Sequence, residues 1–129
     1  MLPKDARILV VDDMRVIRKA ITGYLNTLGY HDIVEAENGI EAVNRVRSEP
    51  IDFIFMDVVM PNMNGNDALK EIRRFNQTVP VVLVTSLTDR QIIADCREHD
   101  FLGYVLKPLT VEDGPQKLAE YLEMAPVQA

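Results

Sequence analysis

Thiols are nearly absent from this 129-residue chain, whose single cysteine is Cys96. An intramolecular disulfide and a multi-cysteine metal site are therefore both excluded. Set among Ile92, Ile93 and Ala94, Cys96 reads as a small core residue, and a catalytic thiol is not expected. Long apolar runs are missing as well. After the mixed-charge, proline-containing stretch Met1 to Arg7, the first run, Ile8 to Val11, is far too short for a signal-peptide core or a membrane span, and a cytoplasmic protein is expected. Positive charge is also scarce: 14 Lys and Arg face 20 Asp and Glu, for a net charge of -6. Polyanions are bound by clustered Lys and Arg, so a main role in coating nucleic acid or an anionic membrane is excluded. Basic or cation-dependent partners suit the chain better. With no linker or low-complexity tract, and with 47% hydrophobic and 26% charged residues, residues 1–129 are expected to form one domain with its own core.

Five short apolar runs recur: Ile8 to Val11, Ile33-Val34, Phe53 to Met56, Val81 to Val84 and Tyr104 to Leu106. Each reads as a strand. Three are continuous rather than alternating, the pattern of parallel strands covered on both faces. Between them the period turns helical. Met14, Ile17, Ile21, Leu25 and Leu28 line one face of a first helix that Gly29 ends. Further helices are expected over Gly39 to Arg47, Asn66 to Phe75, Asp89 to His99 and Pro115 to Glu123. Parallel strands need crossovers and helices supply them, so five βα repeats predict a doubly wound α/β fold.

Ligands of open α/β sheets bind beyond the carboxyl ends of the strands. Four of the five ends carry polar residues: Asp12-Asp13, Asp57, Thr85-Ser86 and Lys107-Pro108. The second strand ends in Glu35-Ala36-Glu37, read as solvated. In the flavodoxin-like strand order 2-1-3-4-5 the switch point lies between strands one and three, which sets the three aspartates across one crevice. Converging carboxylates repel unless a cation intervenes, and an all-oxygen set that keeps waters suits Mg2+. With Lys107 as a second positive charge and Thr85 as a hydroxyl donor, the set has what phosphoryl transfer requires, and a carboxylate can serve as the nucleophile. Asp57, on the middle strand, is the candidate. Each residue alone has an ordinary reading: Asp12 and Asp13 as helix caps, Asp57 as a turn acid, Lys107 as a solvated lysine, Tyr104 as a half-buried strand aromatic. Their joint placement argues for the site. His31 and His99 read as surface residues, and Met14, Met56, Met60 and Met63 as packing.

Together Val10-Val11-Asp12-Asp13, Met56-Asp57-Val58-Val59-Met60-Pro61-Asn62-Met63-Asn64-Gly65, Val84-Thr85-Ser86 and Lys107-Pro108 resemble the receiver domains of two-component response regulators, over nearly the whole chain. Gly29 to Gly39 and Pro61 to Gly65 look closest to the single-domain chemotaxis type. The resemblance implies that Asp57 takes a phosphoryl group from a phosphohistidine on a sensor kinase or phosphotransfer protein. It implies Mg2+ ligands from Asp13, Asp57 and the Val59 carbonyl, with Asp12 reaching the ion chiefly through water. Lys107 would contact the phosphoryl group, aimed by a cis peptide before Pro108. Thr85 would then move towards that group while Tyr104 turns inward, altering the face of the fourth helix, fifth strand and fifth helix. Gly65 would be a turn glycine with positive φ. The chain would act as a switch rather than a dedicated enzyme, catalysing only its own phosphorylation and dephosphorylation, as a monomer or a phosphorylation-linked dimer.

Two stretches depart from the family pattern. His99-Asp100-Phe101-Leu102 stands where many receivers have Gly-Ala, and Asp tolerates a left-handed turn less freely than Gly. Gly114-Pro115 delays the last helix, with Pro115 expected at its first position. Val59 and Leu87, two residues after Asp57 and Thr85, are apolar, and since such positions tune the phosphoryl lifetime in the family, the resemblance implies restricted water access and slow self-dephosphorylation. Three rivals fit less well. A haloacid-dehalogenase phosphatase needs an acid where Val59 stands, and a flavodoxin-like redox module needs a phosphate-cradling loop where Asp12-Asp13 would repel the phosphate. A pseudo-receiver would usually lack one of Asp57, Thr85 or Lys107.

Overall fold

A computed structural model describes residues 2–86 and 90–125. In chain order the elements are β1 (Ile8–Val11), α1 (Arg15–Thr27), β2 (Ile33–Ala36), α2 (Gly39–Ser48), β3 (Phe53–Asp57), α3 (Gly65–Phe75), β4 (Val81–Thr85), α4 (Arg90–Cys96), β5 (Gly103–Leu106) and α5 (Gly114–Glu123). The strands form one parallel sheet in the order β2-β1-β3-β4-β5. This is the expected flavodoxin-like topology.

The three central strands are buried at every position, and successive side chains leave opposite faces of the sheet. Leu9, Val11, Ile54, Met56, Val81 and Leu83 meet the apolar sides of α2 and α3 and the Cys96 thiol. Ile8, Val10, Phe53, Phe55, Val82 and Val84 meet Ile21 and Leu25 of α1 and Leu118 and Leu122 of α5. Continuous hydrophobicity in the sequence thus arises because each strand feeds two cores. Cys96 is fully buried, and burial pushes its thiol up to about 11, so it remains a thiol at neutral pH.

Helix ends bring several corrections. Met14 does not join the apolar face of α1; it is the extended N-cap, φ -96° and ψ 116°, and is 53% exposed, because the chain must turn out of β1 before the helix can start. Gly29 does end that helix, at φ +97°. α3 starts at Gly65, one residue early, with the Asn64 side chain accepting from the Asp67 N–H at 2.9 Å. Of the helix expected over 89–99, Asp89 lies outside the described residues and the far end falls short: α4 ends at Cys96, and Arg97, Glu98 and His99 continue as turns bonded three residues back. Asp100 adopts no left-handed conformation; its carbonyl accepts from Arg73 Nε and Nη2 at 2.9 and 2.7 Å, which ties that turn to α3. In α5 Gly114 occupies the first position and Pro115 the second, where its missing N–H still leaves no intrahelical bond unmade.

Candidate phosphoacceptor site

All the polar strand-end residues lie on the carboxyl edge of the sheet. Asp57 is the last residue of β3, opposite Val84, and Thr85 is the last residue of β4. Asp12 and Asp13 follow β1 directly, and Lys107 follows β5. One carboxylate oxygen from each of Asp12, Asp13 and Asp57 lies within 4.8 Å of the others, which makes a cation-sized acidic pocket. Asp12 and Asp57 are buried and Asp13 is exposed, so the pocket opens to water on the Asp13 side.

Lys107 Nζ sits between the two buried acids, 2.9 Å from Asp12 Oδ2 and 3.4 Å from Asp57 Oδ2. Burial alone would lower its pKa, but the Asp12 hydrogen bond and the Asp57 charge outweigh burial and hold it above the ordinary value, so the ammonium stays charged. Burial is the main force on Asp57, raising it from 3.8 to about 6; Lys107 pulls the other way and the Asp12 charge adds to the rise. A carboxylate so burdened gains from a bound cation, and three oxygen donors around an open side match a hard divalent ion that keeps waters. The residues present therefore fit Mg2+.

Neither aspartate caps α1 as the ordinary reading has it. Asp12 Oδ1 accepts from the Met14 N–H at 2.9 Å, the N-cap being Met14 itself with no side-chain cap bond. Val59, whose carbonyl is the expected fourth ligand, follows the site in the loop between β3 and α3; its N–H lies 3.4 Å from Asp57 Oδ1 and its side chain is half exposed. That loop is shaped by Asn62 at φ 69°, the left-handed residue that was expected at Gly65. Gly65 instead answers a close approach. A Cβ there would stand 2.7 Å from both the Asp57 carbonyl oxygen and Val58 Cα, while its N–H donates to the Val58 carbonyl at 2.8 Å.

The peptide between Lys107 and Pro108 is cis, as expected, and the Lys107 N–H donates to the Thr85 carbonyl at 2.6 Å. Thr85 is fully buried beside the cleft, whereas Tyr104 is exposed, with a cavity of about 300 Å³ on its α4 side and one of about 410 Å³ on its α5 side. Leu87 lies outside the described residues. His31 is exposed and His99 half-buried, and neither joins the acidic group. Of the methionines, Met56 and Met60 are buried and Met63 packs on the core, whereas Met14 is exposed and lies outside both core clusters.

Sequence reading missed two contributors. Arg18 Nη1 donates to the Asp12 carbonyl at 2.7 Å while its Nε donates to Glu35 at 3.0 Å. Glu35 is consequently half-buried and ion-paired rather than solvated, and it also takes Lys19 at 2.7 Å. Asn62 was the other, although Pro-Asn before a loop glycine is a signal for a left-handed residue.

The family profile described as "Response regulator receiver domain" matches residues 8–119. The chain belongs to the response regulator receiver domain family. It is 32% identical over 125 residues to chemotaxis protein CheY-3 of Vibrio cholerae serotype O1, covering 95% of this chain and 96% of that protein. Chemotaxis protein CheY1 of Helicobacter pylori is 33% identical over 121 residues, covering 92% and 94%. Among solved structures, V. cholerae CheY4 superposes with a TM-score of 0.82 at 27% identity, covering 95% of this receiver and 99% of that chain. The receiver domain of a sensor histidine kinase from Pseudomonas aeruginosa PAO1, solved with a magnesium ion coordinated in its active-site cleft, also gives 0.82 at 27% identity, covering 94% and 97%. This is a receiver domain of two-component type, similar to chemotaxis CheY proteins, and no described helix is long and apolar enough to cross a membrane.

Proposed function

We propose that this receiver is a Mg2+-dependent phosphoacceptor switch in which Asp57 carries the phosphoryl group. The observation that carries the reading is the placement of Lys107 Nζ between Asp12 and Asp57, in a pocket whose three carboxylates lie within 4.8 Å. Asp13, Asp57 and the Val59 carbonyl would hold the ion, with Asp12 acting through water; the ion supplies charge neutralisation for the incoming phosphoryl oxygens. The donor is a phosphohistidine on a sensor kinase or phosphotransfer protein. As a carboxylate oxygen of Asp57 bonds to phosphorus the P–N bond breaks, and the histidine nitrogen leaves with the bonding pair and takes up a proton. Asp57 is mainly ionised above about pH 6 and so is available as the nucleophile at neutral pH. Lys107 balances the added charge, and Thr85 donates its hydroxyl to a phosphoryl oxygen.

The switch is not a dedicated enzyme; it catalyses its own phosphorylation and hydrolysis in the cytoplasm. Tyr104 follows Thr85 inward and changes the face of α4, β5 and α5 that a downstream protein reads. An apolar Val59, half exposed at the cleft mouth, restricts the attacking water and lengthens the phosphoryl lifetime. Intact-mass measurement after incubation with phosphoramidate, with and without Mg2+, tests the reading. One phosphoryl adduct that needs Mg2+ and vanishes in Asp57→Asn is expected; an equal adduct on the mutant, or none on the wild type, refutes it.

A further inference from the structure

The β1 ladder ends where the Asp12 N–H donates to the Ala36 carbonyl of β2 at 3.2 Å. The N-cap of α1, Met14, stands only two residues later, where its carbonyl accepts from Ile17 and Arg18. The Asp12 carbonyl falls between the two systems, on a residue that is 1% exposed, and a buried carbonyl without a donor is unfavourable. Arg18 supplies the donor through Nη1 at 2.7 Å, and Glu35 on β2 fixes the same guanidinium through Nε at 3.0 Å. The Arg18 side chain is only 13% exposed, so it is a packed strut rather than a roaming surface charge. Glu35 faces its charge but shares that carboxylate with Lys19 at 2.7 Å, so Arg18 ties down the peptide that carries the acidic pair as a cation only partly offset.

We propose that Arg18, held by Glu35, is a positioning residue for the metal pocket: it locks the Asp12-Asp13 peptide so that both carboxylates converge with Asp57. This rests on the Mg2+ reading given under Proposed function. Partners that orient metal ligands from behind typically contribute about 10- to 100-fold in metal affinity. The effect here sits at the lower end, because Asp12 is also held by Met14 and Lys107.

The test is a Mg2+ titration of the full chain followed by amide chemical shifts, together with metal-free thermal unfolding, for the wild type, Arg18→Ala, Arg18→Lys and Glu35→Gln. Arg18→Ala is expected to weaken Mg2+ binding about 10-fold, with Arg18→Lys recovering part of the loss. Glu35→Gln, which leaves the donor in place but loosens its anchor, is expected to weaken binding by less and serves if Arg18→Ala does not fold. Lower melting temperatures with unchanged Mg2+ affinity would overturn the proposal, since Arg18 would then support the fold alone. Tighter Mg2+ binding in Arg18→Ala would overturn it too, because repulsion by the guanidinium would then be its main effect. A wild type that binds no Mg2+ would instead refute the metal reading, and the proposal with it.

Discussion

The two halves of the carboxyl edge of the sheet are built differently. On the β1–β3 side two of the three acids are buried and tied: Asp12 is held by Met14, Arg18 and Lys107, and the Asp57 loop is closed by the Gly65 bond to Val58. On the β4–β5 side Tyr104 stands 41% exposed on an edge strand, with open cavities on both flanks and α4 ending at Cys96 beside it. Chemistry needs fixed groups, because phosphoryl transfer is mostly positioning and electrostatics. A readout needs an element with room for two positions. The contrast assigns the first task to the β1–β3 acids, which Lys107 reaches from the end of β5, and the second to Tyr104 and its flanks.

The largest effect expected is from Lys107→Ala, which leaves two buried carboxylates facing each other. Phosphoryl uptake should fall by about 10² to 10³, and metal-free stability by about 2–3 kcal/mol, read from adduct formation rate and urea midpoint. Unimpaired uptake would mean that the bridge Lys107 makes from the end of β5 to Asp12 and Asp57 does not carry the chemistry.

Next comes Asp57→Asn in metal-free protein. Because folding raises the Asp57 pKa from 3.8 to about 6, the folded state binds that proton more tightly than the unfolded one. The resulting stability is fully present below about pH 4 and is lost as the pH rises through 6, so the ionised acid weighs on the fold at neutral pH. At about 1.4 kcal/mol per tenfold in proton affinity, Asp57→Asn should stabilise the metal-free protein by about 1–3 kcal/mol at pH 7.5. The gain should shrink towards zero near pH 4 and diminish when Mg2+ is added. Urea titrations at the two pH values check this, and a pH-independent gain would contradict it.

Gly65→Ala should cost about 1–3 kcal/mol, because its methyl would press on the Asp57 carbonyl and Val58 Cα, each 2.7 Å from the new carbon. Thermal unfolding reads the loss; a neutral mutant would show that the loop is not tightly closed. Val59→Asn with Leu87→Glu should shorten the phosphoryl half-life severalfold by admitting water, and an unchanged or longer half-life would sink the slow-hydrolysis proposal. Smallest is Tyr104→Ala, whose effect on stability should stay within about 0.5 kcal/mol while the response of α4 and β5 to phosphorylation is lost.

Legibility in the sequence follows a similar divide. Strand ends were readable because an apolar run stopping at Asp, Thr or Lys marks both the sheet edge and the site, and the topology placed those ends together. Cys96 was readable from its apolar neighbours. What was hidden depends on contacts distant in sequence. Glu35 looks solvated until Arg18, seventeen residues earlier, is brought beneath it. Gly65 looks like a positive-φ turn, but its smallness serves the neighbouring Asp57 peptide while Asn62 takes the left-handed position. Met14 fits the helical period yet precedes the helix, since periodicity does not reveal where a chain leaves a strand.

The division between a fixed cleft and a yielding readout is tested most directly by amide hydrogen exchange of the full chain, with Mg2+ alone and with Mg2+ plus phosphoramidate. Phosphorylation should change exchange in residues 86–106 while the core of β1 and β3 keeps its protection, and Asp57→Asn should abolish the difference. Loss of protection in β1 and β3 with no change around Tyr104 would contradict the account.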